Sequence, residues 1–249
     1  MKRLLSVLLA VCLCISLGTM LASCAKCEHT WDDGTITTPA TKTEKGVKTF
    51  TCTKCSETKT EPVDYVPKTT VTATEWEAAF DLGDNWTVSY TATHPVYQQT
   101  MAAVQKTAGN KFHSHEELRD EAGAVLDSED DYAEIVDGVW YDYSYDEDEG
   151  KFVKRSSSDT VEYRLNNMIE YYLPDYIRNP EEYTYDTEAG AYIADVIVGD
   201  HASIDNVTLR FEDGKLVSMT YSITMQDTVV PYAFTFTYGD ATVTLPSID

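Results

Sequence analysis

Cys27-x-His29 and Cys52-x-x-Cys55 are the residues of this chain whose types and spacing best suit chemistry: two short pairs of soft or borderline ligands separated by a loop. Thiolate sulfur and imidazole nitrogen match the tetrahedral preference of Zn²⁺. Four protein ligands leave no position for water, so the ion expected at Cys27, His29, Cys52 and Cys55 is structural rather than catalytic. Cysteine arithmetic points the same way. Of the six cysteines, Cys12 and Cys14 lie in an apolar N-terminal stretch and Cys24 closes it, leaving three. Three thiols cannot all pair, so a disulfide from Cys27 to Cys52 or Cys55, the competing reading, would strand a reactive thiol. Between the pairs lie Trp31, Asp32-Asp33-Gly34, a Thr/Pro stretch over 35–41, Lys45-Gly46 and Phe50. This is turn chemistry around a few β-prone residues, too little to bury a core alone, and metal binding would supply its folding free energy.

The residues before this module set its address. Lys2-Arg3 opens an apolar run from Leu4 to Leu21, and Leu21-Ala22-Ser23-Cys24 ends it, in the pattern of a secretory signal. The tetrapeptide resembles the processing site of bacterial lipoproteins. That resemblance implies a signal peptide over 1–23, a diacylglycerol on the Cys24 sulfur, and a protein held by its lipid at the extracytoplasmic face of the cell membrane. At ~0.8 kcal/mol per buried CH₂, one chain binds marginally and two hold stably. An uncleaved membrane helix is the alternative, since the run approaches the ~20 residues that span a bilayer.

The formal net charge is -23, and removal of 1–23 takes away two cations and no acid. So acidic a chain lacks the basic footprint needed to displace counterions from phosphates, which argues against nucleic acid as a partner. The charge supplies solubility and is assigned no partner of its own. Seventeen tyrosines and four tryptophans exclude an acidic disordered segment.

Patterning divides the chain into a small module over 24–64, a Pro- and Lys/Thr-containing linker over 65–74, and a main domain over 75–249. Thr74 with Glu77 reads as a capping box before a short helix carrying Trp76, Ala79 and Phe80. Beyond Asn85 the period is two: Trp86, Val88 and Tyr90 alternate with hydroxyl residues, and Asp137-Gly138 joins Ile135-Val136 to Val139-Trp140. Tyr141, Tyr143 and Tyr145 share one face before an acidic turn at 146–150. Val207-Leu209-Phe211, a turn at 212–215, Leu216 to Ile223, and a final pair at 232–238 and 242–245 repeat the pattern. One amphipathic helix interrupts it, with Asp159 and Glu162 as cap and box, and Val161, Leu165, Met168, Ile169 and Tyr172 at helical spacing until Pro174. The expected fold class is α+β, mainly β: a curved antiparallel sheet, or half-barrel, with an inserted amphipathic helix, behind a small zinc-ribbon-like module.

Two resemblances extend this. Cys27-Glu28-His29-Thr30-Trp31, Gly34, Ala40-Thr41, Gly46 and Thr51-Cys52-Thr53-Lys54-Cys55 resemble a zinc-ribbon-like repeat of Gram-positive surface proteins, with Ser56 where that family often has glycine. Asn85-Trp86-Thr87-Val88, Gly109-Asn110-Lys111, Phe211 to Leu216, Phe236 to Asp240 and Val243 to Pro246 resemble the LolA-like lipoprotein fold. The second resemblance implies a sheet that wraps helices around an apolar cavity for acyl chains. Residues suited to line it are Trp86, Val88, Tyr90, Met101, Trp140, Met168 and Tyr172, although core packing alone would also use each of them.

The leading expectation is a non-enzymatic, membrane-anchored lipoprotein that binds a lipid or other hydrophobic ligand. The alternative is a cell-surface adhesion or interaction protein using the zinc module and the tyrosine face. No nucleophile elbow, zinc-protease helix or phosphate loop is present, and no catalytic residue is assigned. His113 and His115 share a strand face, but no third metal ligand is legible, and they are read as exposed. The acidic runs 127–131 and 146–149 are read as solvated turns. The space between the helix at 159–173 and the sheet separates the two functional expectations: a dry cavity favours lipid, a packed interior favours interaction.

Overall fold

The computed structural model describes residues 27–41, 43–199, 203–225 and 227–248. The expected signal peptide and Cys24 lie outside them. The chain divides into two compact units after Pro67. The first holds a three-stranded antiparallel sheet in the order β1-β2-β3: β1 Thr35–Thr38, β2 Gly46–Thr51 and β3 Thr58–Val63. Two glycines shape it. Gly34 sits at φ +70, and a Cβ there would lie 2.7 Å from the Phe50 ring. A Cβ at Gly46 would meet the Ala40 nitrogen at 2.5 Å, where β1 and β2 pair irregularly. Neither position tolerates a side chain.

The second unit is one open antiparallel sheet of eleven strands, so the mainly β expectation holds. Its first meander is β4 (Asn85–His94), β5 (Gln99–Ala108), β6 (Lys111–Arg119), β7 (Val125–Val136), β8 (Val139–Asp146) and β9 (Lys151–Ser156). The second is β10 (Thr184–Asp186), β11 (Ala191–Val198), β12 (Ser203–Glu212), β13 (Lys215–Met225) and β14 (Thr228–Tyr238). β14 pairs with β4 and joins the meanders, leaving β9 and β10 as the outer edges. The chain must therefore pass from one edge to the other between Ser156 and Thr184. It does so through helix α2 (Val161–Tyr172) and two short 3₁₀ turns; a one-turn helix α1 (Trp76–Ala79) precedes β4.

Alternation buries one face. Trp86, Val88, Tyr90 and Ala92 on β4 are buried while their neighbours are not. Along β12 the alternation shifts at Asn206, which takes φ +55 within an irregular register, so that Ile204 and then Val207, Leu209 and Phe211 all reach the core. A bulge of this kind re-aims the rest of a strand. α2 spans two apolar clusters. Its first half packs Val161, Leu165 and Met168 on Phe112, Ala133 and Trp140; its last turn carries Tyr172 into the larger cluster with Tyr90 and Phe234. The helical stripe read from sequence is the stripe that is used.

Several local expectations are corrected. Thr160, not Asp159, caps α2, its Oγ1 accepting from Tyr163 N–H at 3.2 Å, because the Asp159 carboxylate is drawn to Arg164 at 3.1 Å. The box before α1 is formed two residues earlier: Glu75 accepts from the N–H and hydroxyl of Thr72, at 3.0 and 2.8 Å, and Thr74 caps nothing. The stretch 242–245 is not a strand, since Asn85 grips Ala241 through both its main-chain groups, at 3.0 and 2.9 Å, and turns the tail away. Residues 127–131 lie in β7 rather than in a turn; paired with β6, they gain main-chain hydrogen bonds that outweigh the poor strand preference of Asp and Glu. Part of the expected linker is bound to the body: Val71 N–H and C=O meet the Tyr192 hydroxyl at 2.9 and 2.8 Å.

Candidate functional site

The four expected metal ligands converge. One ligand atom from each of Cys27, His29, Cys52 and Cys55 lies within 4.8 Å of the others, and this group could hold a metal ion. The tetrahedral edge expected from ~2.3 Å zinc–sulfur bonds is about 3.8 Å, and Cys55 Sγ to His29 Nδ1 is 3.5 Å. The three cysteines are free, with no disulfide among them.

Local main-chain geometry explains the convergence. Trp31 bridges to Cys52, Cys52 N–H donates to Glu57 O at 2.7 Å, and Thr53 N–H donates to Thr30 O at 2.8 Å, tying the two knuckles together. His29 stacks on Trp31 at 5.1 Å, and Lys59 Nζ also lies over the Trp31 ring, 5.3 Å from its centre. Burial works against a Cys52 thiolate, but N–H groups of Lys54, Cys55 and Thr30 and the His29 ring outweigh it and bring the thiol down to about 6. The neighbouring sulfurs push Cys27 up to about 12, with Cys55 the main cause. A cation at the centre is the natural relief for thiols so crowded. Ser56, at the position where the resembling repeat favours glycine, takes the left-handed conformation at φ +63.

The main unit holds a second candidate, an open cleft of about 1340 Å³ between α2 and strands β6 to β8. Trp140, Met168 and Tyr172 line it, as expected of cavity residues. Trp86, Val88 and Tyr90 do not; they are packed within the larger core cluster. Met101 is 40% exposed, its sulfur accepting from Tyr90 Oη at 3.2 Å. The polar part of the lining comes partly from the acidic run 127–131, which sequence placed in a solvated turn rather than on a wall of the cleft. Glu116, Glu129 and Asp131 share this lining with Gln105 and Ser114. Gln105, held by Tyr172 Oη at 3.3 Å, is one of only two buried polar side chains among the described residues. Arg164 crosses from α2 to Asp142 at 2.8 Å and lies over the Trp140 ring. Glu116, Glu129 and Asp131 have no basic partner among the described residues. Burial, then repulsion from Asp131 and Glu129, raises Glu116 above its ordinary carboxylate range. Alternate positions of 111–119 and 125–131 carry these acids, so a strand reading of both segments would have found them.

Tyr141, Tyr143 and Tyr145 share the face of β8 opposite Trp140 and Asp142, with Tyr143 and Tyr145 bordering the cleft at its open end. Tyr143 Oη donates to Glu134 at 2.6 Å, Lys154 covers Tyr141, and Tyr145 is exposed. On that face Asp130 lies between the two histidines, accepting from His113 Nε2 at 2.7 Å and His115 Nδ1 at 3.0 Å, and this pairing leaves both half-buried rather than exposed as expected. Glu117, then Asp130, raises His115 above its ordinary 6.5 against the effect of burial. A histidine raised on folding stabilises fully below 6.5, and that contribution is lost as pH climbs through its folded value. An NMR titration should place the His115 midpoint above 6.5, and Glu117→Gln should lower it; an unmoved midpoint refutes the assignment.

No protein-family model and no curated protein matches the chain. Among the described residues no helix is long and apolar enough to cross a membrane.

Proposed function

We propose that this chain is an exported, lipid-anchored, non-enzymatic binding protein: a small module held by structural zinc, followed by an open-sheet body that engages a partner in the cleft under α2. The motif at Cys24 supports the anchor, and the convergence of Cys27, His29, Cys52 and Cys55 supports zinc, the divalent ion that prefers thiolate and imidazole ligands. One observation carries the ligand-binding part: a large open cleft whose sheet wall presents Glu116, Glu129 and Asp131 without cationic partners among the described residues. Of the two expectations, this polar lining favours the interaction protein over the lipid carrier, because an alkyl chain in the cleft would desolvate carboxylates without pairing them. A cationic partner gains attraction there and relieves repulsion already present.

The test is a binding titration of the full chain in neutral detergent with a short lysine-rich peptide and, separately, a fluorescent fatty acid. The peptide should bind, weaken as salt is raised, and be lost in the triple variant Glu116→Gln, Glu129→Gln, Asp131→Asn. Fatty-acid binding that survives the triple variant, with no peptide binding, would overturn the reading.

A further inference from the structure

β7 does not keep neighbours on both sides along its length. It pairs with β6 from Val125 to Glu134, but β8 joins it only between Tyr132 and Val136. Ser144–Asp146 of β8, for their part, pair with β9 alone. The sheet forks here, and both free edges border the cleft, whose lining includes Asp127–Tyr132 and Tyr143–Tyr145. Ile135 N–H donates to Asn110 O on the β6 side, so the even-numbered residues of β7 direct their main-chain groups toward β8. Past Tyr132 that aims the N–H and C=O of Ser128 and Asp130 into the fork. Every residue from Val125 to Asp131 is exposed, and among the described residues Ser128 N–H meets only the Asp127 carboxylate, at 3.0 Å.

The two walls of the fork differ. Asp142, which pairs with Arg164 of α2, sits opposite Ala133, so Ala133, Asp131, Glu129 and Asp127 all face α2. The other face carries aromatic groups, with Phe152 6.0 Å from Tyr132 and 5.3 Å from the exposed Tyr145, and its one carboxylate on the free stretch of β7, Asp130, is engaged by His113 and His115. A strand laid along β7 would send alternate side chains onto the acidic row and onto the aromatic row. Exposed strand edges are templates for another strand, with main-chain bonds giving affinity and alternate side chains giving specificity.

We infer that the fork between β7 and β8 captures an extended segment of a partner protein by strand addition to β7, the segment carrying Lys or Arg at every second position and apolar or aromatic residues between them. This rests on the cleft-binding reading and names its partner. A second copy of this chain is a poor occupant, since its net charge of -23 opposes the acidic row.

The experiment compares two peptides of alternating lysine and valine, about eight residues long, on the full chain in neutral detergent. One is unmodified; the other is N-methylated at every residue, keeping its charge but losing its main-chain donors. The unmodified peptide should bind and slow hydrogen exchange at the Ser128 and Asp130 amides, and the methylated one should bind at least about tenfold more weakly. Equal affinities, or unchanged exchange at Ser128 and Asp130, would overturn strand addition and leave the cation-binding cleft standing. If neither peptide binds, the cleft reading falls with it.

Discussion

Cys52→Ser is expected to abolish metal binding and unfold residues 27–63 while the eleven-stranded body keeps its structure. Cys52 is 1% exposed and belongs to both parts of the module: it bridges to Trp31, bonds to Glu57, and contributes one of four converging ligand atoms. The module's outer strands β1 and β3 are largely exposed, β2 is only half-buried, and its aromatic groups, Trp31 and Phe50, are covered by lysine side chains rather than by a core. A unit so poor in buried apolar surface would draw its folding free energy from a metal bound at this group. The check is one equivalent of zinc per chain in the wild type, none in the variant, and loss of amide dispersion confined to 27–63. A chelator should reproduce the effect in the wild type. If a reductant rather than a chelator unfolded the module, the disulfide reading would replace this one.

The second large effect is expected from Phe211→Ala. Phe211 is 1% exposed on β12 and touches Trp76, Phe80 and Tyr192 at 5.5 to 5.7 Å between ring centres. Those partners join α1 and the Val71 segment to the sheet, so the lost ring opens a cavity where three parts of the chain meet. Large-to-small aromatic truncations of this kind cost about 3–5 kcal/mol. For a body of this size that is a fall in Tm on the order of 10 °C. Thermal unfolding of the variant beside Phe211→Leu, which refills much of the volume, measures it. A shift within a degree or two of the wild type would show that the cluster does not fasten α1.

How much of this was legible follows from the range of each interaction. Hairpins joined by tight turns, such as Asp137-Gly138 and Asp213-Gly214, are local, and positive φ at all four of these residues bears out the turns that sequence suggested. The α2 stripe was legible for the same reason, since its period depends on neighbours three and four apart. β14 beside β4 was not, because that pairing joins residues far apart in the chain and nothing in either strand names the other. The residue numbers of the candidate metal centre were legible because each pair is short; the cleft was not, because its acids come from β6 and β7 and face a helix that follows β9.

Sequence by itself determined the four candidate metal-ligand positions, the mainly β character and the amphipathic helix, all properties of composition and short periods. Tertiary structure decided that Asp130 would sit between two histidines, that Trp86, Val88 and Tyr90 would be packed in the core, and that β7 would part from β8 to leave an edge among carboxylates. These depend on strand register and on where paired strands diverge, which are set by the summed packing of the whole sheet and by no local stretch of residues.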